Sequence, residues 1–308
     1  MRIETLKQFL VILQTQSINS AAQQLYISQQ GLDAAIKRLE KELNVVLFQR
    51  TKTGIRLTKE GKLLSQYAKE IIKSYDSFQI ELARQQLIKS PPQIVKIAVN
   101  PILSNILSEF FVSFNSTISN ISYRFYELAN EDIPEAVALN RFNMGIICYC
   151  KSKDIESSIL YDPLPVLQSL NLVHNLLIFD ELVVAMSYNN PLANQEVVKN
   201  DDLSNCGIAL SNNTAFPYPQ YKNNILLNSH DYKLHEQYLL HDDCISLLPA
   251  YIAKTAFNLD NIKLLSCWPR MTHYSLLIYP DSDKQTLSPE QILFYNSFKN
   301  FLENYSDT

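Results

Sequence analysis

The sequence predicts a protein of the mixed α/β class, in which a small helical N-terminal domain precedes a long helix and a larger α/β module. Three observations support this prediction. Apolar residues recur at helical three-four spacing up to about residue 87. Two adjacent prolines, Pro91 and Pro92, then interrupt the helical pattern. Beyond them, short apolar runs alternate with helical patterns, as in a parallel sheet with crossover helices.

The N-terminal domain is organised around a helix predicted from Gln29 to Leu43, with Ser28 placed to cap it. A shorter helix starts at Ser17 or Asn19, and only Tyr26 and Ile27 separate it from Ser28. Two helices with so tight a connection predict a helix-turn-helix. The residues expected to be buried are Leu32, Ile36, Leu39 and Leu43 in the longer helix and Ala21, Ala22 and Leu25 in the shorter one.

A helix before this pair and a hairpin after it complete the domain. The first helix, residues 4–15, presents an apolar face made of Leu6, Phe9, Leu10 and Leu13. After the longer helix, residues 45–48 and 55–57 flank a turn at Thr53 and Gly54, which predicts a short hairpin. The whole N-terminal part is therefore predicted to be a winged helix-turn-helix.

Charge is distributed unevenly along a chain whose net charge is −4. Residues 1–90 contain 14 Lys or Arg and 8 Asp or Glu, whereas residues 91–308 contain 13 and 23. A basic head on an acidic remainder is typical of proteins in which only the head meets nucleic-acid phosphates. Basic side chains on or beside the hairpin suit phosphate contact, and the alternative is a solvated basic turn: Arg50, Lys52, Arg56 and Lys59.

The first ~60 residues resemble the DNA-binding signature of LysR-type transcriptional regulators. The resemblance is carried without a gap by Leu6, Phe9, Ser17, Ala21, Ala22, Leu25, Ser28, Gln29, Ile36, Leu39, Glu40, Leu47, Phe48, Arg50, Leu57, Thr58 and Gly61. It implies a cytoplasmic regulator that binds double-stranded DNA, with RNA polymerase as a further candidate partner. The alternative is a three-helix core without a nucleic-acid role. The predicted DNA-binding residues are Ser17, Ser28, Gln29, Gln30, Asp33, Ala34, Lys37, Arg38, Arg50, Lys52 and Arg56.

Asp33 is a departure within this well-matched stretch, because the family usually carries a serine there. A carboxylate on the outer face of the helix either accepts a hydrogen bond from a cytosine amino group or repels phosphates. Gly31, where a small apolar residue is usual, adds a helix penalty of up to ~1 kcal/mol relative to alanine. Both hypotheses for Asp33 remain open at this point.

The long helix is predicted to begin after Thr58 and to reach about Leu87. Its apolar residues follow a four-three spacing, which is typical of a coiled-coil seam. The seam either pairs two chains or lies against its own chain, and the resemblance favours a homodimer or homotetramer. The predicted domains are thus 1–58, a linker helix 59–90 and a module 91–308. The predicted dimerisation residues are Leu64, Ala68, Ile71, Tyr75, Phe78 and Leu82.

The module begins with a strand-helix-strand-helix-strand pattern over residues 94–150, which predicts a parallel sheet. No G-x-G-x-x-G follows the first strand, which argues against a dinucleotide. The resemblance implies two α/β subdomains arranged as in a periplasmic binding protein. Subdomain I is then expected at about 93–177 and 268–308, and subdomain II at about 178–267.

Polar residues follow a strand in each predicted subdomain, where open sheets bind ligands. Asn100 caps the helix after the first strand, and Ser104 lies one turn on. Free amides at such a helix start attract anions. We therefore expect a small-molecule effector here, with a carboxylate as a candidate group, whereas ordinary helix capping is the alternative. The predicted effector-binding residues are Asn100, Ser104, Ser211, Asn212, Asn213 and Thr214.

No motif predicts catalysis, a metal site, a cofactor or a membrane span. His230, His235, His241 and residues 242–244 form one metal-like cluster, but their spacing places them on different helix turns, so surface histidines are expected. Cys148 and Cys150 share one strand face and are expected to be buried. Redox sensing by Cys206 and Cys244 is a weaker alternative. Two alternatives to an effector-controlled regulator remain: a ligand-independent regulator whose cleft is only structural, and an enzyme fused to a DNA-binding head.

Overall fold

The computed structural model describes the chain in eight stretches, and the chain folds as two compact units, Met1–Leu82 and Ala83–Thr308. Side chains of a few residues inside the described elements, Arg50 among them, are also not described. The described stretches are 1–25, 27–51, 54–114, 120–152, 162–211, 218–241, 243–281 and 287–306.

The first unit holds the predicted winged helix-turn-helix and most of the predicted linker helix. The hairpin is antiparallel, with Phe48 opposite Leu57. Thr58 caps the long helix by accepting a hydrogen bond from the amide of Gly61 at 2.9 Å. The elements are α1 (Ile3–Thr15), α2 (Ile18–Gln24), α3 (Gln29–Leu43), β1 (Phe48–Thr51), β2 (Gly54–Leu57) and α4 (Lys59–Ile88).

The core of the first unit differs from the prediction on the buried face of α1 and at the C-terminal end of α3. In α1 the fully buried residues are spaced three apart and include Ile12, which was not predicted. Leu10 and Leu13 are half-buried, and Leu10 packs against the core. Leu43 is 38% exposed because α3 ends there and the next residue, Asn44, adopts a left-handed conformation. Leu25, which follows α2, is half-buried. The other predicted core residues are buried: Leu6, Phe9, Ala21, Ala22, Leu32, Ile36 and Leu39.

Helix α4 carries two apolar stripes rather than one. Ala68 is fully buried in the core of its own unit, so it was wrongly assigned to a seam between chains. Leu64 and Ile71 are half-buried and also pack against this core. The second stripe lies on the exposed side, where four large side chains are 43–61% exposed and two more, Ile71 and Tyr75, are half-buried. The four are Leu63, Tyr67, Phe78 and Leu82.

The second unit is an α/β module built on two sheet regions that share one long strand. Within the described residues the strands follow the order β4-β3-β5-β12-β6-β10-β8-β9, with β11 between β6 and β7. The strands are β3 (Gln93–Val99), β4 (Ile121–Glu127), β5 (Met144–Ser152), β6 (Leu172–Ser187), β7 (Val197–Lys199), β8 (Gly207–Leu210), β9 (Ile225–Asn228), β10 (Cys244–Pro249), β11 (Ile262–Trp268) and β12 (Met271–Pro280).

Helices cover the sheets on both sides. An aromatic cluster of Phe110, Phe114, Phe294 and Phe298 joins the first and last helices of the module. The helices are α5 (Ser104–Phe114), α6 (Ile133–Ala138), α7 (Leu164–Ser169), α8 (Tyr232–Leu239), α9 (Ala250–Ala256) and α10 (Pro289–Ser306), with 3-10 turns at Pro101–Leu103, Pro191–Asn194, Asn200–Asn205 and Pro219–Asn224.

Strand β6 spans the predicted start of subdomain II. The strand begins at Leu172, and its first half pairs with β12. Its second half pairs with β10 and β11. One continuous strand therefore crosses from one subdomain to the other, and the expected border at residue 178 falls inside it. Helices α7 and α9 and strand β7 were not predicted, because each is too short for a clear periodic pattern.

No helix in the described part of the chain is both long and apolar enough to cross a membrane.

Candidate nucleic-acid interface and effector cleft

The helix-turn-helix is fixed locally by two serine caps. Ser17 Oγ accepts a hydrogen bond from the amide of Ser20 at 3.2 Å, and Ser28 Oγ accepts one from the amide of Gly31 at 3.0 Å. A β-carbon added at Gly31 would lie 2.9 Å from Ser28 Oγ, so a larger residue would crowd this cap. Ser17 and Ser28 are therefore engaged in starting their helices.

The outer surface of α3 is polar and exposed. Lys37 Nζ forms an ion pair with Asp33 Oδ2 at 2.6 Å, and Arg38 Nε donates to the carbonyl of Ala34 at 3.2 Å. The Asp33 carboxylate is therefore directed along the helix toward Lys37 and is partly neutralised by it. The exposed residues of this surface are Gln29, Gln30, Ala34, Lys37, Arg38 and Lys41.

Glu40 connects this helix to the hairpin. Its Oε1 accepts hydrogen bonds from the amides of Leu47 at 2.7 Å and Phe48 at 3.4 Å. The hairpin is also held by the amide of Ile55, which donates to the carbonyl of Gln16 at 3.2 Å. Sequence reasoning matched Glu40 to a family pattern but assigned it no role, since a contact seven residues away needs the turn that follows α3.

The hairpin carries the remaining predicted DNA contacts. Arg56 is exposed and lies opposite Gln49 in the antiparallel pair, and Arg50 lies opposite Ile55. Lys52 lies outside the described residues. A helix with exposed amide and ammonium groups beside an arginine-bearing hairpin can enter a DNA groove while the hairpin meets the backbone.

In the second unit, the predicted effector residue Asn100 is buried and fully engaged within the chain. Its Oδ1 accepts from the amide of Ile102 at 3.0 Å, and its Nδ2 donates to Asn130 Oδ1 at 3.0 Å. Asn130 in turn bonds both backbone groups of Cys148, at 2.7 and 2.8 Å. This pair of asparagines ties the residue after β3 to the middle of β5, a role that sequence reasoning missed.

The other predicted effector residues also have partners in the chain. Ser104 Oγ donates to Glu127 Oε1 at 2.5 Å, which places a carboxylate beside the predicted anion pocket and disfavours an anion there. Ser211 Oγ lies 3.3 Å from His230 Nδ1. Partial burial lowers the pKa of His230, although Glu127 acts in the opposite direction. Asn212, Asn213 and Thr214 lie outside the described residues.

Tyr232, at the start of α8 in subdomain II, closes the junction between the subdomains. Its hydroxyl donates to the carbonyl of Ile102 in subdomain I at 3.0 Å, and the side chain is buried. Burial also raises the pKa of the phenol, so it stays a neutral hydrogen-bond donor. The Tyr232 side chain therefore fills part of the junction between the subdomains.

The histidine and cysteine predictions are settled in part by burial. His235 was expected at the surface, but it is fully buried, with Nε2 donating to the carbonyl of Ser229 at 2.8 Å and Nδ1 lying 3.1 Å from Ser246 Oγ. Within the described residues, no three His, Cys, Asp or Glu side chains are grouped to hold a metal ion. All five cysteines are free and buried, and burial raises the pKa of Cys148 and Cys150 to about 12, so neither is a reactive thiolate.

Comparison with known proteins places the first unit clearly. Residues 3–62 match the family described as "Bacterial regulatory helix-turn-helix protein, lysR family". The uncharacterized HTH-type transcriptional regulator YbhD of Escherichia coli is 27% identical over 201 residues, which cover 65% of this chain and 58% of that protein. BsdA of Bacillus subtilis, also an HTH-type transcriptional regulator, is 42% identical over 83 residues, 27% of this chain and 29% of BsdA.

These similarities are partial in extent. The alignments to three curated relatives span between 54 and 62% of those proteins' own lengths. Among solved structures, CrgA of Neisseria meningitidis, described as a LysR-type transcriptional regulator, superposes with a TM-score of 0.59 at 16% identity. That match covers 98% of this chain and 99% of CrgA. At such low identity the likeness establishes the fold.

Proposed function

Because residues 3–62 match the bacterial lysR family of regulatory helix-turn-helix proteins, we propose that the protein is a sequence-specific DNA-binding transcriptional regulator of LysR type. The observation that carries the proposal is the exposed outer surface of α3, where Gln30 and Lys37 stand on a capped helix held against a hairpin. Helices of this kind place their N-terminal residues against base edges in the major groove.

The regulator acts in the cytoplasm as a homodimer or homotetramer, and RNA polymerase is a further candidate partner. The second apolar stripe of α4 supports an oligomer, because Phe78 and Leu82 are 61 and 43% exposed in the single chain. Two such helices would bury these side chains against each other. Two heads would then read two half-sites about one helical turn apart or a multiple of it.

The second unit is proposed to bind a small-molecule effector between its two subdomains. Its fold supports this, because the continuous strand β6 runs from one subdomain into the other, and subdomains joined in this way can close on a ligand. A ligand-independent regulator is the second candidate, because Asn100, Ser104 and Ser211 all have partners within the chain. A thermal-shift screen of small metabolites on the whole protein separates these two.

DNA binding is tested by selecting sites from random double-stranded DNA with the purified protein. We expect enrichment of a two-part motif, and Lys37→Ala should weaken binding and reduce the salt slope by about 1 if Lys37 meets a phosphate. Lys69→Ala, an exposed lysine on α4, is the matched control and should change little. Selection of no motif by the wild-type protein would contradict the proposal.

Oligomerisation is tested by sedimentation of a variant with Ile71→Glu and Phe78→Glu. These charges lie on the second stripe of α4 and should convert the oligomer into monomers. Because Ile71 also packs against the core of its own unit, circular dichroism checks that the variant folds, and Phe78→Glu alone is the milder variant. Ala68→Glu is the contrasting variant, since it places a charge in the core and should destabilise the head. A wild-type monomer at micromolar concentration would show that the stripe has another purpose.

A further inference from the structure

His273 lies near the start of β12, in a row of residues that extends to Asp180 of β6. The register places it opposite Cys150 in β5 and opposite Asp180 in β6. In the next row on the same face, Ser275 lies opposite Cys148. Of the three strands, β6 leads from one subdomain into the other.

Both ring nitrogens of His273 lack a hydrogen-bond partner among the described residues, although the side chain is only 2% exposed. A neutral imidazole has one N–H donor and one acceptor, and buried groups of either kind are almost always bonded. His235 is the internal contrast, because it is equally buried and both of its nitrogens are bonded, at 2.8 and 3.1 Å. His273 therefore holds hydrogen-bonding capacity that the described residues leave unused.

Three neutral polar groups lie close to His273 or to its neighbour Ser275. The ring of Tyr251, from α9 in subdomain II, lies 6.1 Å from the imidazole, and its hydroxyl is 3.5 Å from Ser275 Oγ. Ser275 Oγ is also 3.4 Å from Cys148 Sγ. Burial lowers the pKa of His273 to about 3, and it raises the pKa of Tyr251 and Cys148, so all three stay uncharged near neutral pH.

Asp180, the acidic residue in the row of His273, already accepts two hydrogen bonds from backbone amides. Asp180 Oδ1 accepts from the amide of Glu181 at 2.7 Å, and Oδ2 accepts from the amide of Tyr251 at 2.6 Å. Neither row contains a lysine or an arginine that would balance the charge of a bound carboxylate. An anion placed here would lose its hydration without gaining an ion pair.

We propose that His273 is the recognition point for a small neutral ligand that carries an amide or hydroxyl group, bound at the subdomain junction between β12 and α9. An amide or hydroxyl both donates and accepts, so it can satisfy a ring nitrogen and reach the Tyr251 or Ser275 hydroxyl. As the assignment of an effector site, this rests on the proposed regulatory function. It replaces the anionic effector expected from helix-capping residues.

The first test compares His273→Leu with His235→Leu in the ligand-free full-length protein. If the His273 nitrogens are unbonded, an apolar residue of similar volume should leave Tm unchanged or raise it. His235→Leu should lower Tm by about 2–4 °C or more, because it leaves its partners unbonded. A drop for His273→Leu like that for His235→Leu would mean that a buried water already bonds the ring, and it would overturn the site.

The second test uses nicotinamide and nicotinate, which share a ring and differ in charge, with isothermal titration calorimetry on the full chain. Nicotinamide should bind the wild type, and binding should weaken at least about tenfold in His273→Leu while being partly retained in His273→Gln. His241→Leu, at an exposed histidine, is the control. Binding of nicotinate as tight as that of nicotinamide overturns the ligand class, as does failure of both nicotinamide and acetamide to bind at millimolar concentration.

A third measurement separates this inference from the proposed function. DNA affinity is determined for the wild type and for His273→Leu, each with and without nicotinamide. The amide should shift the DNA affinity of the wild type alone. No DNA binding by either protein would overturn the regulatory function and leave the ligand site standing. Amide binding without any effect on DNA affinity would overturn the effector role of His273.

Discussion

The outer surface of α3 and the junction between the subdomains look alike in sequence, but the structure uses their polar side chains differently. Both regions present polar residues at the start of a helix, after Ser28 in one case and after Asn100 in the other. On α3 the residues beyond the cap point outward and are exposed, as Gln30 and Lys41 are. At the junction, Asn100 is engaged by Asn130 and by the chain itself. Polar residues near a cap therefore indicate a binding surface only where the tertiary structure leaves them without a structural task.

The largest effect is expected from removing the partner that engages Asn100. Asn130→Ala should lower the free energy of unfolding of the second unit by about 2–4 kcal/mol, because it leaves Asn100 and both backbone groups of Cys148 without their partners. The measurement is urea denaturation followed by the fluorescence of Trp268, the single tryptophan of the sequence. Asn189→Ala, at an exposed asparagine, should leave the midpoint unchanged. Equal midpoints for both variants would mean that the asparagine pair is dispensable.

A pH dependence specific to the junction follows from the buried His273. Burial lowers its pKa from 6.5 to about 3, so between these values the unfolded chain binds a proton that the folded chain does not. The contribution of His273 to the free energy of unfolding is therefore constant above about pH 6.5. As the pH falls from 6.5 toward 3, the free energy of unfolding decreases by up to about 1.4 kcal/mol per pH unit. Denaturant midpoints measured across this range should fall more gently for His273→Leu. Parallel acid limbs for the two proteins would show that His273 is not buried in neutral form.

In the head, the strongest single connection is the one from Glu40 to the hairpin. Glu40→Ala should lower the free energy of unfolding of the first unit by about 1–3 kcal/mol, because the amides of Leu47 and Phe48 lose a charged acceptor. It should also weaken DNA binding. Far-UV circular dichroism and a DNA titration report the two effects. Glu70→Ala, at an exposed glutamate of α4, is the control. A variant with normal stability and normal DNA affinity would show that the hairpin is held by other contacts.

The smallest effect, and the most informative about specificity, is expected at Asp33. Its ion pair with Lys37 at 2.6 Å indicates that the carboxylate restrains and partly neutralises a DNA-facing ammonium. Asp33→Ser should therefore raise affinity about two- to fivefold for specific and random DNA alike, most at low salt. Asp33→Asn should behave similarly, since it also removes the charge. Loss of discrimination at a single base pair would instead support cytosine recognition by Asp33.

The helices of the head were predictable because each buries one face and begins at a serine or threonine cap. Helix α3 has the predicted bounds, and the differences fall at Leu43, where α3 ends, and at Ile12 on the buried face of α1. The two stripes of α4 were merged into one seam in the prediction, because periodicity shows that a residue is apolar and not which neighbour covers it. Ala68 and Phe78 both fit the spacing, yet one is buried in its own unit and the other is exposed.

By itself the sequence determined the fold class, the winged helix-turn-helix and the likeness to the lysR family, because short-range spacing, capping and charge encode them. The tertiary structure decided where β6 crosses between subdomains and which polar groups are already bonded. It also decided that His273 is buried with hydrogen-bonding capacity that the described residues leave unused, at a position where the sequence shows only a histidine in an apolar strand. The physical reason is that hydrogen-bond satisfaction depends on partners far away in sequence, such as Asn100 and Asn130 thirty residues apart, and no local pattern records them.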